Sequence, residues 1–338
     1  MAPFTWVHKL FGTYHRIETR TIIIWKNGEN MTEKQLAIES GDLFYRIEQE
    51  KAIVTGYRGF APNLSLPPRI EGYPVTVIDR KAFLSQKSLC GLRLPDTIQE
   101  VGDWAFAHCD SLAEISFPRR EVRFGRAVFK DCGSLQRIGV REPDRESSRQ
   151  VASGENLSCP ELLAAAVTLL EAPYLLDIPR ASTPEWLEQW DIRLLSVLRA
   201  QDSEGYISQS VYGEEDYIGT DLEEFTSAKR ENKVRLSFLR LLHPQRLRPA
   251  LQEELEQYLR SLTKGRPTEE AWQVLRREHA AHGDYYSLFA RLGCITDENF
   301  QGILADIGED SPEMKAFFLK YREERRGGIG DFFESLEL

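Results

Sequence analysis

No run in this 338-residue sequence reaches the roughly 18–20 consecutive apolar residues of a membrane span. The best apolar stretch near the start, residues 21–25, is too short for the core of a signal peptide and lacks a small-residue cleavage site. The expectation is therefore a cytoplasmic protein. Cysteine is scarce: five residues, widely spread, with no C-x-x-C pair. That argues against a disulfide framework and a structural zinc site, and for reduced thiols. Histidine numbers only six, too few and too scattered to suggest a Ser-His-Asp or Cys-His site. No G-x-G-x-x-G, G-x-x-x-x-G-K-[ST] or G-x-S-x-G motif occurs. The sequence thus implies no enzyme and no cofactor.

Positive charge is lacking overall, with a net charge of −10 that is unevenly distributed. Residues 43–140 hold 14 Lys/Arg against 11 Asp/Glu, whereas residues 141–338 hold 24 against 37. The acidic C-terminal part repels nucleic acid and anionic membranes. The expected partner is a protein of unknown identity.

What the sequence does contain is a 23-residue repeat between Ile78 and Val140. Ala82-Phe83, Ala105-Phe106 and Val128-Phe129 recur at that spacing. So do Leu89, Leu112 and Leu135, then Leu92, Ile115 and Ile138, then Leu94, Phe117 and Val140. Ile78, Val101 and Phe124 make a further column, as do Cys109 and Cys132. Each unit reads as an apolar residue, an Ala/Val-Phe pair, a polar turn with Ser-Leu, and a short strand closed by Pro95 or Pro118. Alternation in that strand turns two side chains into the core and Arg93, Ser116 or Gly139 to the other face. One such unit cannot bury its apolar face alone, whereas a stack can.

Residues 43–60 read as a β-hairpin with residues 48–51 as its polar connection, capping one end of the stack. Residues 61–77 are an irregular first unit, in which Leu64-Ser65-Leu66-Pro67 matches the later strands and residues 71–75 form a bulged turn. Residues 1–30 match nothing in the repeat. A purine-rich Gly28-Glu29 coding stretch before Met31 suggests a start there, with 1–30 as a gene-model extension; the other reading is an extra strand or a loose arm.

The segment Val101-Gly102-Asp103-Trp104-Ala105-Phe106-Ala107-His108-Cys109-Asp110-Ser111-Leu112-Ala113-Glu114-Ile115-Ser116-Phe117-Pro118 resembles the unit of BspA-like leucine-rich repeats almost throughout. Residues 69–78 resemble that family's irregular entry segment. Three departures stand out: Gln86 replaces the cysteine, Arg141 replaces the last proline, and Glu121 replaces apolar Ile98. The array is expected to fray where it meets the next domain.

After a polar linker (141–157), the pattern becomes helical. Pro160 and Thr183-Pro184 open the first two helices. Further helices are expected at 220–243, 249–262, 268–281, 284–292, 297–307 and 312–325. The stretch 292–319 resembles the helix-turn-helix of an ankyrin-type unit without its Thr-Pro-Leu-His signature. The region also resembles the helical C-terminal part of some gut Firmicutes leucine-rich repeat proteins. A tail, 327–338, combines a glycine hinge with acidic and apolar residues and could dock in a partner's groove, fold back or stay loose.

The expected fold class is α+β: a short leucine-rich repeat β-solenoid with an N-terminal hairpin cap, followed by an all-α, helical-repeat-like domain. The expected divisions are 1–42, 43–140, 141–157, 158–326 and 327–338. The first functional reading is a protein-interaction or scaffold module, with Arg93, Glu114, Ser116, Arg137 and Gly139 as its contact surface. A second is an enzyme or regulator with its site in 158–338, near loop 202–217 and its Tyr206, Tyr212 and Tyr217, recruited by the repeat. A third is a cell-surface adhesin. Among smaller constellations, His279 and His282 share a helix face but suggest no third metal ligand, and read as a solvated helix end. Cys109 and Cys132 read as a buried apolar column. Arg119, Arg120, Arg123 and Arg126 form a basic cluster that suits an exposed turn or a contact with the acidic helical domain.

Overall fold

The computed structural model describes residues 19–26, 29–142, 159–206 and 221–327. The chain divides into two compact units, Met1–Trp190 and Asp191–Leu338.

The first unit opens with antiparallel strands β1 (Thr19–Lys26), β2 (Glu29–Ile38), β3 (Gly41–Glu48) and β4 (Lys51–Gly59). The hairpin expected at 43–60 is β3 and β4. Its two-residue turn holds Gln49 (φ 46°) and Glu50 (φ 58°) in the left-handed region, the geometry that matches the strands' twist. Strand β4 then pairs in parallel with β7 (Tyr73–Ile78), so the hairpin closes one end of a parallel stack. Residues 19–38, read from sequence as lying outside the repeat, extend the same sheet through β1 and β2.

Each coil of the stack contributes one strand to each of two parallel ladders. On one side β7 is followed by β9 (Glu100–Val101) and β11 (Arg123–Phe124). On the other, β5 (Asn63–Ser65), β8 (Gly91–Arg93), β10 (Glu114–Pro118) and β12 (Arg137–Arg141) pair in sequence order. The bulged turn expected at 71–75 is a tight hairpin of β6 (Arg69–Ile70) with β7, through Glu71 (φ 51°) and Gly72 (φ 86°).

A third ladder, with no strand in it, links the turns. Lys81, Phe83 and Ser85 donate their N–H groups to the carbonyls of Asp103, Ala105 and Ala107. Trp104, Phe106 and His108 do the same to Arg126, Val128 and Lys130, all at 2.8–3.0 Å. Two columns of residues adopt the left-handed conformation there: Lys81, Trp104 and Ala127 (φ 61°, 61° and 50°), and Ser85, His108 and Asp131 (φ 59°, 57° and 55°). None of the six is glycine. An L-residue pays roughly 1–2 kcal/mol to sit there, and glycine pays an extra 0.5–1 kcal/mol of backbone entropy instead. Ser85→Gly is therefore expected to stabilise the protein by about 0.5 kcal/mol, read as a higher midpoint in thermal unfolding. An unchanged or lowered midpoint would show that the Ser85 side chain matters more than its backbone.

The three ladders enclose the expected apolar columns. Ile78, Val101, Leu89, Leu112, Ile115 and Ile138 are fully buried. Rings of Tyr57, Phe83, Phe106 and Phe129 stack along the axis with centroids 5.8, 5.5 and 5.6 Å apart. Packing loosens at the far end, where Phe124 and Val140 are only half-buried. Arg141, standing where earlier units have proline, turns back to bond Leu94 O and pairs with Asp96 at 3.2 Å. Helix α1 (Pro160–Thr168) packs on β12, covering an edge that would otherwise invite pairing. The indoles of Trp190 and Trp186 donate to Leu162 O (3.0 Å) and Leu175 O (2.8 Å), tying α1 and the 3-10 turn Pro173–Leu175 to helix α2 (Pro184–Arg199). Thr183 caps α2 through Trp186 N–H (3.3 Å), as its position before Pro184 suggests.

The second unit begins within α2. It holds α3 (Leu222–Leu242), α4 (Pro249–Ser261), α5 (Glu270–Glu278), α6 (Gly283–Arg291), α7 (Phe300–Ile307) and α8 (Pro312–Gly327), matching the six expected spans. Helix α3 packs against α4, α5 and α6, and α8 against α6 and α7. Trp272 lies at the centre, near Phe289 and Phe318, its indole donating to Asp306 at 2.8 Å. Buried Asn299 links the connections by donating to Lys264 O and Cys294 O and accepting from Thr296 N–H. Fully buried Arg240 grips Asp191 with two bonds (2.6 and 3.1 Å) and also bonds His243 O and Gln245 O. The tail expected from 327 lies, beyond Gly327, outside the described residues.

Candidate functional site

The parallel ladder β5-β8-β10-β12 places two rows of side chains on its outer face. Its register sets Asn63, Gly91, Glu114 and Arg137 side by side, and in the next row Ser65, Arg93, Ser116 and Gly139. Between the rows Leu64, Leu92, Ile115 and Ile138 point inward and are buried. Parallel pairing holds neighbouring positions of a row about 4.8 Å apart. The five residues expected from sequence therefore share one face. Asn63, Ser65 and Gly91 belong to it as well. The first two sit in the irregular first unit, where the match of Leu64-Ser65-Leu66-Pro67 to the later strands is the one sequence signal for them. A Cβ at Gly91 would stand 2.4 Å from Asn63 Oδ1, the tip of an exposed side chain that can turn aside.

Charge distinguishes this face from the other sides of the coil. There, opposite charges one repeat apart meet across neighbouring coils: Lys87 with Asp110, Glu100 with Arg123 (2.7 Å), Asp103 with Arg126 (3.8 Å), His108 with Asp131 (3.3 Å) and Arg119 with Glu142 (2.6 Å). The basic cluster at 119–126 is thus largely absorbed within its own unit; Arg120 donates to Asp96 O at 2.8 Å and Arg119 also reaches Pro179 O. On the strand face, Arg93 and Glu114 are exposed and neither forms an ion pair or side-chain hydrogen bond among the described residues. Arg137 is committed in part to Glu161 of α1, at 2.6 Å.

Cys109 and Cys132 are buried free thiols that donate to Phe83 O and Phe106 O, each at 3.0 Å. Burial pushes their pKa values up to about 11 and about 12, away from reactivity.

The solvated helix end expected at His279 and His282 needs correction. His282 is exposed, but His279 lies flat on Tyr285, ring centroids 3.7 Å apart and planes 8° from parallel. Burial lowers its pKa to about 4 despite the opposing charges of Glu278 and Asp284; His282 and Arg235 add to the lowering. An unfolded histidine takes a proton near pH 6.5, so acid favours the unfolded chain between about pH 6.5 and pH 4. Stability is complete above that window and falls through it, by on the order of 2–3 kcal/mol for this group. His279→Phe should flatten the loss seen in urea titrations across that range; an unchanged pH profile would remove His279 as its source.

A second polar gathering lies in the helical unit, beside the loop singled out from sequence. Lys233 donates to Ala200 O (2.6 Å) and Asp202 (2.7 Å), and Arg230 pairs with Glu270 at 2.6 Å and with Asp202 at 3.8 Å. Tyr206 of the loop packs near Phe225, ring centroids 5.4 Å apart, while Tyr212 and Tyr217 lie outside the described residues. Among the described residues, no three His, Cys, Asp or Glu side chains assemble as a metal site. No helix among them is long and apolar enough to cross a membrane.

Residues 69–159 match the BspA type leucine rich repeat region, in six copies. No curated protein matches. Among solved structures, a leucine rich cell surface protein from Faecalibacterium prausnitzii A2-165 is 25% identical, covering 32% of each chain with a TM-score of 0.28. A leucine-rich repeat protein from Bacteroides ovatus is 27% identical over 30% of this chain and 28% of its own, with a TM-score of 0.27. The leucine rich repeat protein of T. pallidum is 29% identical over 28% of this chain and 60% of its own, with a TM-score of 0.24. The chain thus spans about a third of the first two proteins. The stacked strands of the first unit carry a BspA-type leucine-rich repeat.

Proposed function

We propose that this protein is a protein-binding module whose contact surface is the β5-β8-β10-β12 face. The observation that supports it most is the contrast in charge pairing: the other sides of the coil pair opposite charges in register, while Arg93 and Glu114 stand unpaired on a flat, evenly spaced face. Gly91, Ser65, Ser116 and Gly139 keep the floor between them low. An unpaired surface charge gains specificity and encounter rate when a partner supplies its complement. No reaction is assigned to it. Five free cysteines, four of them buried, support the further reading that it works in a reducing compartment, the cytoplasm.

The test is capture from native cell extract on the full chain, beside the double reversal Arg93→Glu with Glu114→Lys. Both sites are exposed, so the variant should fold. Proteins retained by the parent should be lost or bound at least about tenfold more weakly by the variant, a change of about 1.4 kcal/mol. Identical retention by both would remove this face as the contact surface.

A further inference from the structure

The strand face carries its two unpaired charges on one diagonal. Parallel pairing of β8 with β10 sets Gly91 beside Glu114 and Arg93 beside Ser116. These four positions mark the corners of a rectangle, about 4.8 Å across the strand pair and two residues long. Arg93 and Glu114 occupy opposite corners, about 7–8 Å apart. Both are exposed, and neither forms an ion pair or side-chain hydrogen bond among the described residues. The other two corners, Gly91 and Ser116, carry no more than a short hydroxyl. The rest of the two rows adds no unpaired charge: Asn63, Ser65 and Gly139 are uncharged, and Arg137 meets Glu161 at 2.6 Å.

A partner that covers this face must bring an anion to Arg93 and a cation to Glu114, because a charge covered without its complement is costly. A partner surface of one sign satisfies only one of them. A second copy of the same face satisfies both. Consider a two-fold axis lying between the two faces and crossing the Arg93–Glu114 diagonal at right angles at its midpoint. It sets each of the two residues opposite the other in the second copy, the reciprocal pairing of an isologous contact. Gly91 and Ser116 then lie close to the axis and face their own counterparts, so nothing bulky holds the faces apart. Packed sheets stand about 10 Å apart, a gap that an extended arginine and glutamate span together. We infer that the β5-β8-β10-β12 face docks on a second copy of this chain through two symmetric Arg93–Glu114 pairs. The inference rests on the proposed contact surface and names its partner. With strands of three to five residues, the face offers less than the roughly 1,200 Å² of a stable interface. The dimer is therefore weak and reversible.

Sedimentation velocity of the full chain from about 1 μM to 1 mM tests it, at low salt where the pairs are least screened. The parent should shift from monomer to dimer as its concentration rises. Arg93→Glu alone, or Glu114→Lys alone, sets like charges opposite each other and should weaken the dimer at least about tenfold. Combining both changes in one chain restores opposite charges with their signs exchanged, and should restore the dimer. That recovery also excludes misfolding as the cause of the single losses. A mixture of parent and double variant should form no mixed dimer, because across that pair like charges meet again. A parent that stays monomeric throughout overturns the inference, as does a dimer untouched by the single changes, or a double variant no better than either. The wider reading fails separately: a monomeric parent that still captures extract proteins lost on the double reversal keeps the face as a contact surface, for another protein.

Discussion

Asp191→Ala should cost the helical unit about 3–5 kcal/mol. Arg240 is fully buried and cannot shed its proton. Asp191 supplies the only negative charge paired with it among the described residues, through bonds of 2.6 and 3.1 Å. His243 O and Gln245 O retain their bonds in the variant but supply no net charge. The loss therefore comes from an orphaned cation more than from the pair's own strength. A second variant separates the two causes. Asp191→Leu with Arg240→Met replaces the pair by apolar groups and should recover most of the loss, because buried pairs gain little over well-packed hydrophobic replacements. Urea titration of all three proteins gives the comparison. A double variant as unstable as Asp191→Ala would show that the pair itself is the source.

Phe106→Ala should cost the first unit about 3–5 kcal/mol. Its ring is fully buried between Phe83 and Phe129, at 5.5 and 5.6 Å. The backbone on either side is fixed by bonds to both neighbouring coils, Phe83 N–H to Ala105 O and Phe106 N–H to Val128 O. The cavity therefore cannot collapse, and the transfer and cavity costs both remain. Phe129, at the loosened end and 7% exposed, has one ring neighbour in this stack and should cost less on the same truncation. Equal losses in thermal unfolding would show that stacking within the column is not what sets the cost.

The contrast between these two residues bears on how far the sequence could be read. Phe106 belongs to a column that repeats every 23 residues, so its burial follows from period alone. The same holds for the strand face, because alternation about Leu92 and Ile115 turns Arg93, Glu114 and Ser116 outward. Helix spans followed from periodicity and prolines such as Pro160, Pro184 and Pro249. Asp191 and Arg240, by contrast, lie 49 residues apart on different helices, and no local pattern joins them. The left-handed columns were equally hidden. Their usual marker is glycine or asparagine, and these positions hold Lys81, Trp104, Ala127, Ser85, His108 and Asp131. The conformation is imposed by hydrogen bonds to the next coil, a tertiary cause without a local signature. His279 read as solvated because the ring that covers it, Tyr285, stands beyond the end of its own helix.

Two charge columns along the coils have a parity. Down one column the charges run Arg80, Asp103, Arg126; down another, Asp96, Arg119, Glu142. Sign alternates from coil to coil. Removing a single 23-residue unit, such as 101–123, would bring Arg80 level with Arg126 and Asp96 level with Glu142, like against like in both columns, which is destabilising between directly opposed residues. Adding or removing units two at a time would preserve the alternation. Units that look interchangeable by their apolar columns are therefore odd and even by their charges, and a length change by one coil would require charges to change with it.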